Sequence, residues 1–171
     1  PTGKGTSASH LSWTDDKFVE GEASIIEISG VYKKYHCPMA RTVLLGKPDQ
    51  KKIDTMKRTR EALQAGIDVT KPGKTADDVA QAFWKVLDKY GIEKKSRTGY
   101  SIGIGYPPDW GEHTLNIQKG DKTVLQKNVC FHMIAVMQFG EWGVESSESI
   151  RVTENGAENF YKFPDELHIK G

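Results

Sequence analysis

The side chains able to do acid–base or nucleophilic work are His10, Glu27, His36, Tyr100, Asp109, Glu112, His113, His132, Glu145 and Glu148. A histidine and a carboxylate are a sufficient minimum for hydrolysis: the imidazole moves protons while the carboxylate pairs with a cation or attacks. Glu27 is the most informative of these residues. It sits between Ile26 and Ile28 in the run Ile25 to Tyr32, whose β-branched and aromatic residues favour a strand. A carboxylate in a strand buried on both faces is costly unless it is paired or hydrogen-bonded. Two readings follow, a strand-edge glutamate facing water or a working carboxylate in a cleft.

Other chemistries lack their spacing. No two histidines fall at i, i+4 on one helix, Cys37 and Cys130 are too far apart for a zinc motif, and there is no Gly-x-Ser-x-Gly elbow. Spacing leaves open a metal site built from distant residues. Gly99 to Gly105 is glycine-rich but lacks the following helix that a phosphate loop needs, which argues against nucleotide binding.

These residues need elements to position them. Ser24–Tyr32 and Cys37–Leu45 read as paired strands with a turn near Lys33-Lys34, a hairpin around which the chain is organised. Pro1 to Ser12 reads as a loop delivering His10 and Trp13. A helix starts at Pro48-Asp49, with Asp49 as N-cap and Ile53, Met56, Leu63 and Ile67 on its apolar face. After the Pro72-Gly73 turn, Thr75 and Asp78 form a capping box. Val79, Ala80, Phe83, Val86, Leu87 and Tyr90 then make one stripe that Gly91 stops. Pro107 to Glu112 reads as a stiff loop suited to a ligand wall. Val129–Phe139 and Val144–Thr153 read as strands, the second ending at a Glu154-Asn155-Gly156 turn. The class is α+β.

The chain's 171 residues suffice for one domain with a core, and 24 basic against 23 acidic residues argue against nucleic acid or an anionic membrane as main partner. No run approaches the roughly 18 to 20 apolar residues of a membrane span, and no secretory signal is present. Two distant cysteines read as free thiols in a reducing cytoplasm. The Pro1 start and the small, glycine-rich opening read as a chain that begins partway through a larger protein.

Several strings carry a family resemblance: Gly5 to Trp13, the strand around Glu27, Tyr35-His36-Cys37-Pro38-Met39-Ala40-Arg41-Thr42, and Ser96-Arg97-Thr98-Gly99-Tyr100 through Tyr106-Pro107-Pro108-Asp109-Trp110-Gly111-Glu112. They resemble the catalytic domain of the pita-bread hydrolases, the superfamily of methionine aminopeptidase, prolidase and creatinase, and most of all its ectoine hydrolase branch. The resemblance implies a curved antiparallel sheet flanked by helices. It also implies that residues 1–171 are a partial C-terminal catalytic domain, with the start of that domain and a separate N-terminal domain lying upstream. Creatinase-like members are dimers in which the neighbour helps close the site, so a homodimer is implied too.

Peptidase members bind two metal ions through two aspartates, a histidine and two glutamates. The resemblance lays Glu27, Pro38, about Ile102, Met133 and Ser147 (with Glu148 beside it) on those places. Proline, isoleucine and methionine give a hard dication no ligand, so neither metal nor cofactor is implied. Creatinase is the metal-free precedent; its histidine falls on His10, while Ala40 replaces its glutamate and the carboxylate lies at Glu27 instead. The implied substrate is a small cyclic amidinium, ectoine or hydroxyectoine, opened to an N-acetyl-diaminobutyrate. In this scheme His10, Glu27 and Glu148 are catalytic, and Tyr100, Tyr106, Asp109, Trp110 and His132 contact the substrate. His36 and Arg41 either shape the hairpin or meet the substrate carboxylate. Two other readings compete: an Xaa-Pro metallopeptidase with atypical ligands, and a non-catalytic ligand-binding member of the fold.

Overall fold

Lys33 and Lys34 take φ of 48° and 70°, the left-handed backbone that a two-residue hairpin turn matched to strand twist requires. In the computed structural model, which describes residues 1–164 and 166–171, they join β1 (Ala23–Tyr32) to β2 (Tyr35–Leu45). The hairpin runs in unbroken antiparallel register from Tyr32 opposite Tyr35 to Ala23 opposite Leu44.

Both helices start where their caps direct. The Asp49 carboxylate accepts the Lys52 N–H at 2.8 Å ahead of α1 (Gln50–Val69). Ahead of α2 (Ala76–Lys89), the Thr75 hydroxyl accepts the Asp78 N–H at 3.1 Å, and the Asp78 carboxylate accepts the Thr75 N–H at 2.8 Å. Met56, Leu63 and Ile67 of α1 meet Val79, Ala80, Phe83 and Leu87 of α2 in one core. Trp84 joins that core. Tyr90 instead stays half-buried and donates its hydroxyl to Glu61.

The remaining strands are β3 (Gly99–Ile102), β4 (Gly111–Ile117), β5 (Cys130–Gln138), β6 (Gly143–Val152), β7 (Ala157–Asn159) and β8 (His168–Lys170). They complete an eight-stranded sheet in the order β1-β2-β6-β5-β3-β4, with β7 beside β6 and β8 parallel to β2. The helices cover the face that carries Phe131, Met133, Ala135 and Met137 of β5 with Val144, Ile150 and Val152 of β6. The approach is close at Gly66, where any Cβ would collide with Met133.

The other face is concave. Cα atoms of β1 and β6 come within 8 Å although β2 lies between them, closer than the roughly 9–10 Å of two flat strand spacings. At the far end Tyr35 bridges Ile104 and the His36 N–H donates to the Gly103 carbonyl at 3.0 Å, which draws β2 toward the segment after β3. The α+β class and the curved sheet flanked by helices therefore stand as the sequence implied.

Some elements differ from expectation. β4 already begins at Gly111, so the stiff loop is shorter than Pro107 to Glu112, and a short 3₁₀ helix (Gly3–Ser7) interrupts the opening loop. Trp13 is 82 % exposed and is not delivered to the sheet. The three-residue β7 and β8 carry too little alternation to be read locally; docking against β6 and β2 makes them strands. Among the described residues no helix is long and apolar enough to cross a membrane.

Candidate active site

Strand alternation and register decide which side chains share the concave face. Glu27 stands opposite Ala40, Ala40 opposite Ser147, and Ser147 opposite Ile134, one row across four strands. In the next row Ser149 pairs with His132 and His132 with Tyr100. On the other side of the Glu27 row, Ile25 pairs with Thr42, and Glu145 pairs with Val136.

β2 and β6 pair through one position, Ala40 with Ser147. Pro38 explains why the ladder stops on one side, since it has no N–H to give; the Ser149 hydroxyl reaches its carbonyl instead, at 2.6 Å. On the other side the Thr42 hydroxyl takes the ladder's place. It accepts the Glu145 N–H at 2.7 Å and donates to the Glu145 carbonyl at 2.8 Å. Buried side chains thus hold the two strands together while keeping the face between them polar.

A hydrogen-bond chain crosses this face. The Trp110 indole N–H donates to the Tyr100 hydroxyl at 2.5 Å, His132 Nδ1 lies 3.0 Å from that hydroxyl, and His132 Nε2 lies 2.7 Å from the Ser147 hydroxyl. Indole only donates, so Tyr100 accepts from Trp110 and gives its own proton to Nδ1; the imidazole then carries its hydrogen on Nε2 and donates to Ser147. Burial supports this neutral assignment, pushing His132 down to about 3 and Tyr100 up to about 12. His132 is a fixed donor.

Glu27 is half-buried, and loss of solvation raises its carboxyl above the ordinary range while the nearby His10 charge opposes the rise. His10 itself is exposed and takes φ of 58° in the segment after the 3₁₀ helix. It lies close enough to Glu27 for its charge to act on that carboxyl. Tyr100, His132 and, through Tyr100, Trp110 join the same face.

Three predicted site residues are not brought there. Glu148 has the opposite parity to Ser147, pairs across strands with Met133 on the helix-covered face, and is salt-bridged to the Arg41 guanidinium with both side chains buried. It is not the second carboxylate of the cleft. Arg41 also donates to the Ala40 and Ser147 carbonyls, so its role is to pin the β2–β6 junction. Tyr106 is 64 % exposed and accepts from Lys34 at the hairpin tip, about 17 Å of strand away from Glu27. Asp109 is exposed, receives the Gly111 N–H at 2.7 Å and lies 2.8 Å from His113 Nε2. Register corrects one more placement: Met133 faces the helices, leaving Ile134 and His132 on the cleft face, and Tyr100 of β3 stands directly opposite His132.

The carboxylate that does accompany Glu27 is Glu145, 8 % exposed and pushed up to about 8, chiefly by burial and then by the Glu27 charge. Lys94, 7 % exposed, is its buried cationic neighbour and is pushed down to about 8 by burial. Glu145 stood in the candidate set but nothing in its sequence distinguished it from Glu148; Lys94, in a lysine-rich stretch, gave no signal.

A cavity of about 1140 Å³ lies elsewhere. Its walls include Val31, His36, Cys37, Ile104, Cys130 and Phe160, and it contains none of Glu27, His132 or Glu145. The Glu27 face is instead a trough left open along β1, which is an edge strand on which Glu27 is only half-buried.

A model of metallopeptidase family M24 matches residues 1–154. The chain belongs to this family. It is 44 % identical over 171 residues to the ectoine hydrolase of Halomonas elongata, covering 99 % of this chain and 43 % of that protein. An uncharacterized hydrolase/peptidase of Sinorhizobium fredii is 37 % identical over 161 residues, 94 % of this chain and 41 % of that one. Among solved structures, dipeptidase PepE of Mycobacterium ulcerans superposes with a TM-score of 0.91 at 28 % identity, over 98 % of this chain and 45 % of its own. The prolidase of Pyrococcus furiosus gives 0.87 at 22 % identity, over 95 % of this chain and 48 % of its own, a likeness of fold. The fold is thus that of the pita-bread hydrolases, and this M24 chain spans less than half the length of these relatives.

The family name implies metal ions, and the donor set can be tested against it. The concave face offers the Glu27 and Glu145 carboxyls beside Pro38, Ala40, Ile134 and Ser147, with both His132 nitrogens engaged. Among the described residues no three of His, Cys, Asp and Glu converge to hold a metal ion. This donor set does not fit a pair of divalent cations.

Proposed function

We propose that this M24 chain is the catalytic part of a metal-independent hydrolase that opens a cyclic amidine, with ectoine or a close analogue as substrate. The observation that carries the reading is the face around Glu27: the carboxylate remains, while Pro38, Ile134 and Ser147 stand at or beside the places where the family resemblance would put cation ligands. An amidinium is a delocalised cation, and a half-buried carboxylate is its natural partner, each offsetting the other's loss of water. Glu27 pairs with the amidinium carbon or attacks it as nucleophile. His10, exposed beside it, activates water as a base and exchanges protons with solvent. His132 donates through Nε2–H to Ser147 and so keeps a polar, uncharged wall, with Tyr100 and Trp110 behind it. The similarity to the Halomonas elongata ectoine hydrolase supports this substrate class over a proline peptide. A second subunit closing the open trough beside β1 completes the proposal, as does a cytoplasmic location.

The test is ligand stabilisation of the intact protein by ectoine, creatine and a proline dipeptide, followed by product analysis. Ectoine alone should raise the melting temperature and yield an N-acetyl-diaminobutyrate. Stabilisation by the dipeptide alone, with cleavage on adding manganese, would replace this reading with a peptidase.

A further inference from the structure

Among the described residues, Glu145 is the buried acid on the concave face that the scheme above leaves without a task. It lies two residues along β6 from Ser147, with its backbone locked to Thr42, in the row next to that of Glu27. The residue is 8 % exposed, and the charged neighbours of its carboxyl are Glu27, Lys94 and the Pro1 amino group. We propose that the Glu145 carboxyl is the acid that protonates the departing ring nitrogen, a role that rests on the amidine-hydrolase reading.

The groups facing it make this division of labour. Glu27 comes from β1, Tyr100 from β3, Lys94 from the segment after α2, and the Pro1 amino group from the start of the chain. The Ile134 N–H donates to the Thr98 carbonyl and the Thr98 hydroxyl to the Ile134 carbonyl, which lays that segment along β5, and the Lys94 ammonium donates to the Ser96 hydroxyl at 2.6 Å. Two carboxyls facing one trough resist both being ionised, and the deeper one keeps its proton. Glu27 is the shallower, with the His10 charge favouring its anion, whereas burial holds Glu145 protonated to about pH 8.

The proton count closes. Water oxygen bonds to the amidinium carbon and gives one proton to His10, leaving a neutral tetrahedral adduct. Glu145 protonates the ring nitrogen, the carbon–nitrogen bond breaks, and the remaining hydroxyl proton returns to the Glu145 carboxylate as the amide carbonyl forms. The freed amine takes the proton held by His10, and both acids are reset.

The experiment uses the intact protein, Glu145→Gln and Lys94→Met, with kcat followed against pH on ectoine and on an open-chain amidine whose leaving group is an electron-poor aniline. Glu145→Gln should lose about 100-fold or more on ectoine, lose the fall in kcat above pH 8, and recover most of its rate on the aniline substrate, which leaves without a proton. Lys94→Met removes a cation that favours ionised Glu145, so its fall in kcat should move to higher pH. Equal losses on both substrates, or an unchanged pH profile in both variants while the wild type turns over ectoine, would overturn this role alone. No turnover of any amidine by the wild type would overturn the amidine reading and this role together.

Discussion

Glu27 and Ser147 stand in one cross-strand row with only Ala40 between them. That row joins an edge strand to the centre of the sheet, and it is where β2 and β6 are pinched together before they splay. A carboxylate on one flank and a histidine-bound hydroxyl on the other define the chemistry the trough can offer. Cation handling falls to the protein's own anion.

Replacing Glu27 with Gln should remove that chemistry without disturbing the fold. The amide keeps the shape and loses the charge, in a strand otherwise held by the full β1–β2 ladder. Turnover of ectoine should drop at least about 1000-fold, roughly 4 kcal/mol of transition-state stabilisation, with the circular dichroism spectrum unchanged. Turnover within tenfold of wild type would show that Glu27 is the bland strand-edge glutamate.

His132 makes a pH prediction with a definite sign. The folded imidazole is pushed down to about 3, whereas the unfolded chain protonates near 6.5. Below pH 6.5 the unfolded state therefore binds the extra proton, and stability falls as pH falls, at about 1.4 kcal/mol per unit. Glu145 works in the opposite direction over pH 4.5 to 8, so the informative quantity is the difference between wild type and His132→Gln. In urea titrations from pH 7.5 to 5, the stability advantage of the wild type over His132→Gln should shrink with acidification. A pH-independent difference would mean that His132 is solvated or charged in the native state.

The Arg41–Glu148 pair predicts a structural phenotype. Both side chains are almost fully buried on the helix-covered side of the sheet. Arg41→Met breaks this buried ion pair by removing one partner and should cost about 3–5 kcal/mol of stability, read as a lower denaturation midpoint. Glu148→Gln, which keeps a hydrogen-bonding group, should cost less and leave turnover at saturating ectoine within about threefold. A loss of turnover in Glu148→Gln with stability intact would return Glu148 to the cleft.

Local signals made much of this fold legible. Asp49, the Thr75–Asp78 box and the Lys33-Lys34 turn each fix a backbone boundary through groups within four residues, and each lies where the sequence put it. The α+β class and pita-bread architecture followed from those elements and the family strings. The site was legible only in part. β6 is buried on both faces, so Glu145, Ser146, Ser147, Glu148 and Ser149 show no alternation to say which acid faces the cleft. A one-residue shift exchanges the two faces, which is how Glu148 stood in for Glu145 and Met133 for Ile134. Lys94 depends on the segment after α2 lying against β5, a long-range fact with no local signature.

Ectoine hydrolysis by the intact protein, freed of divalent cations by exhaustive chelation and followed by proton NMR of the ring-opened product, tests the central claim most directly. The account predicts the same rate before and after chelation, with no gain on adding manganese or cobalt. A rate lost on chelation and restored by either ion would contradict it.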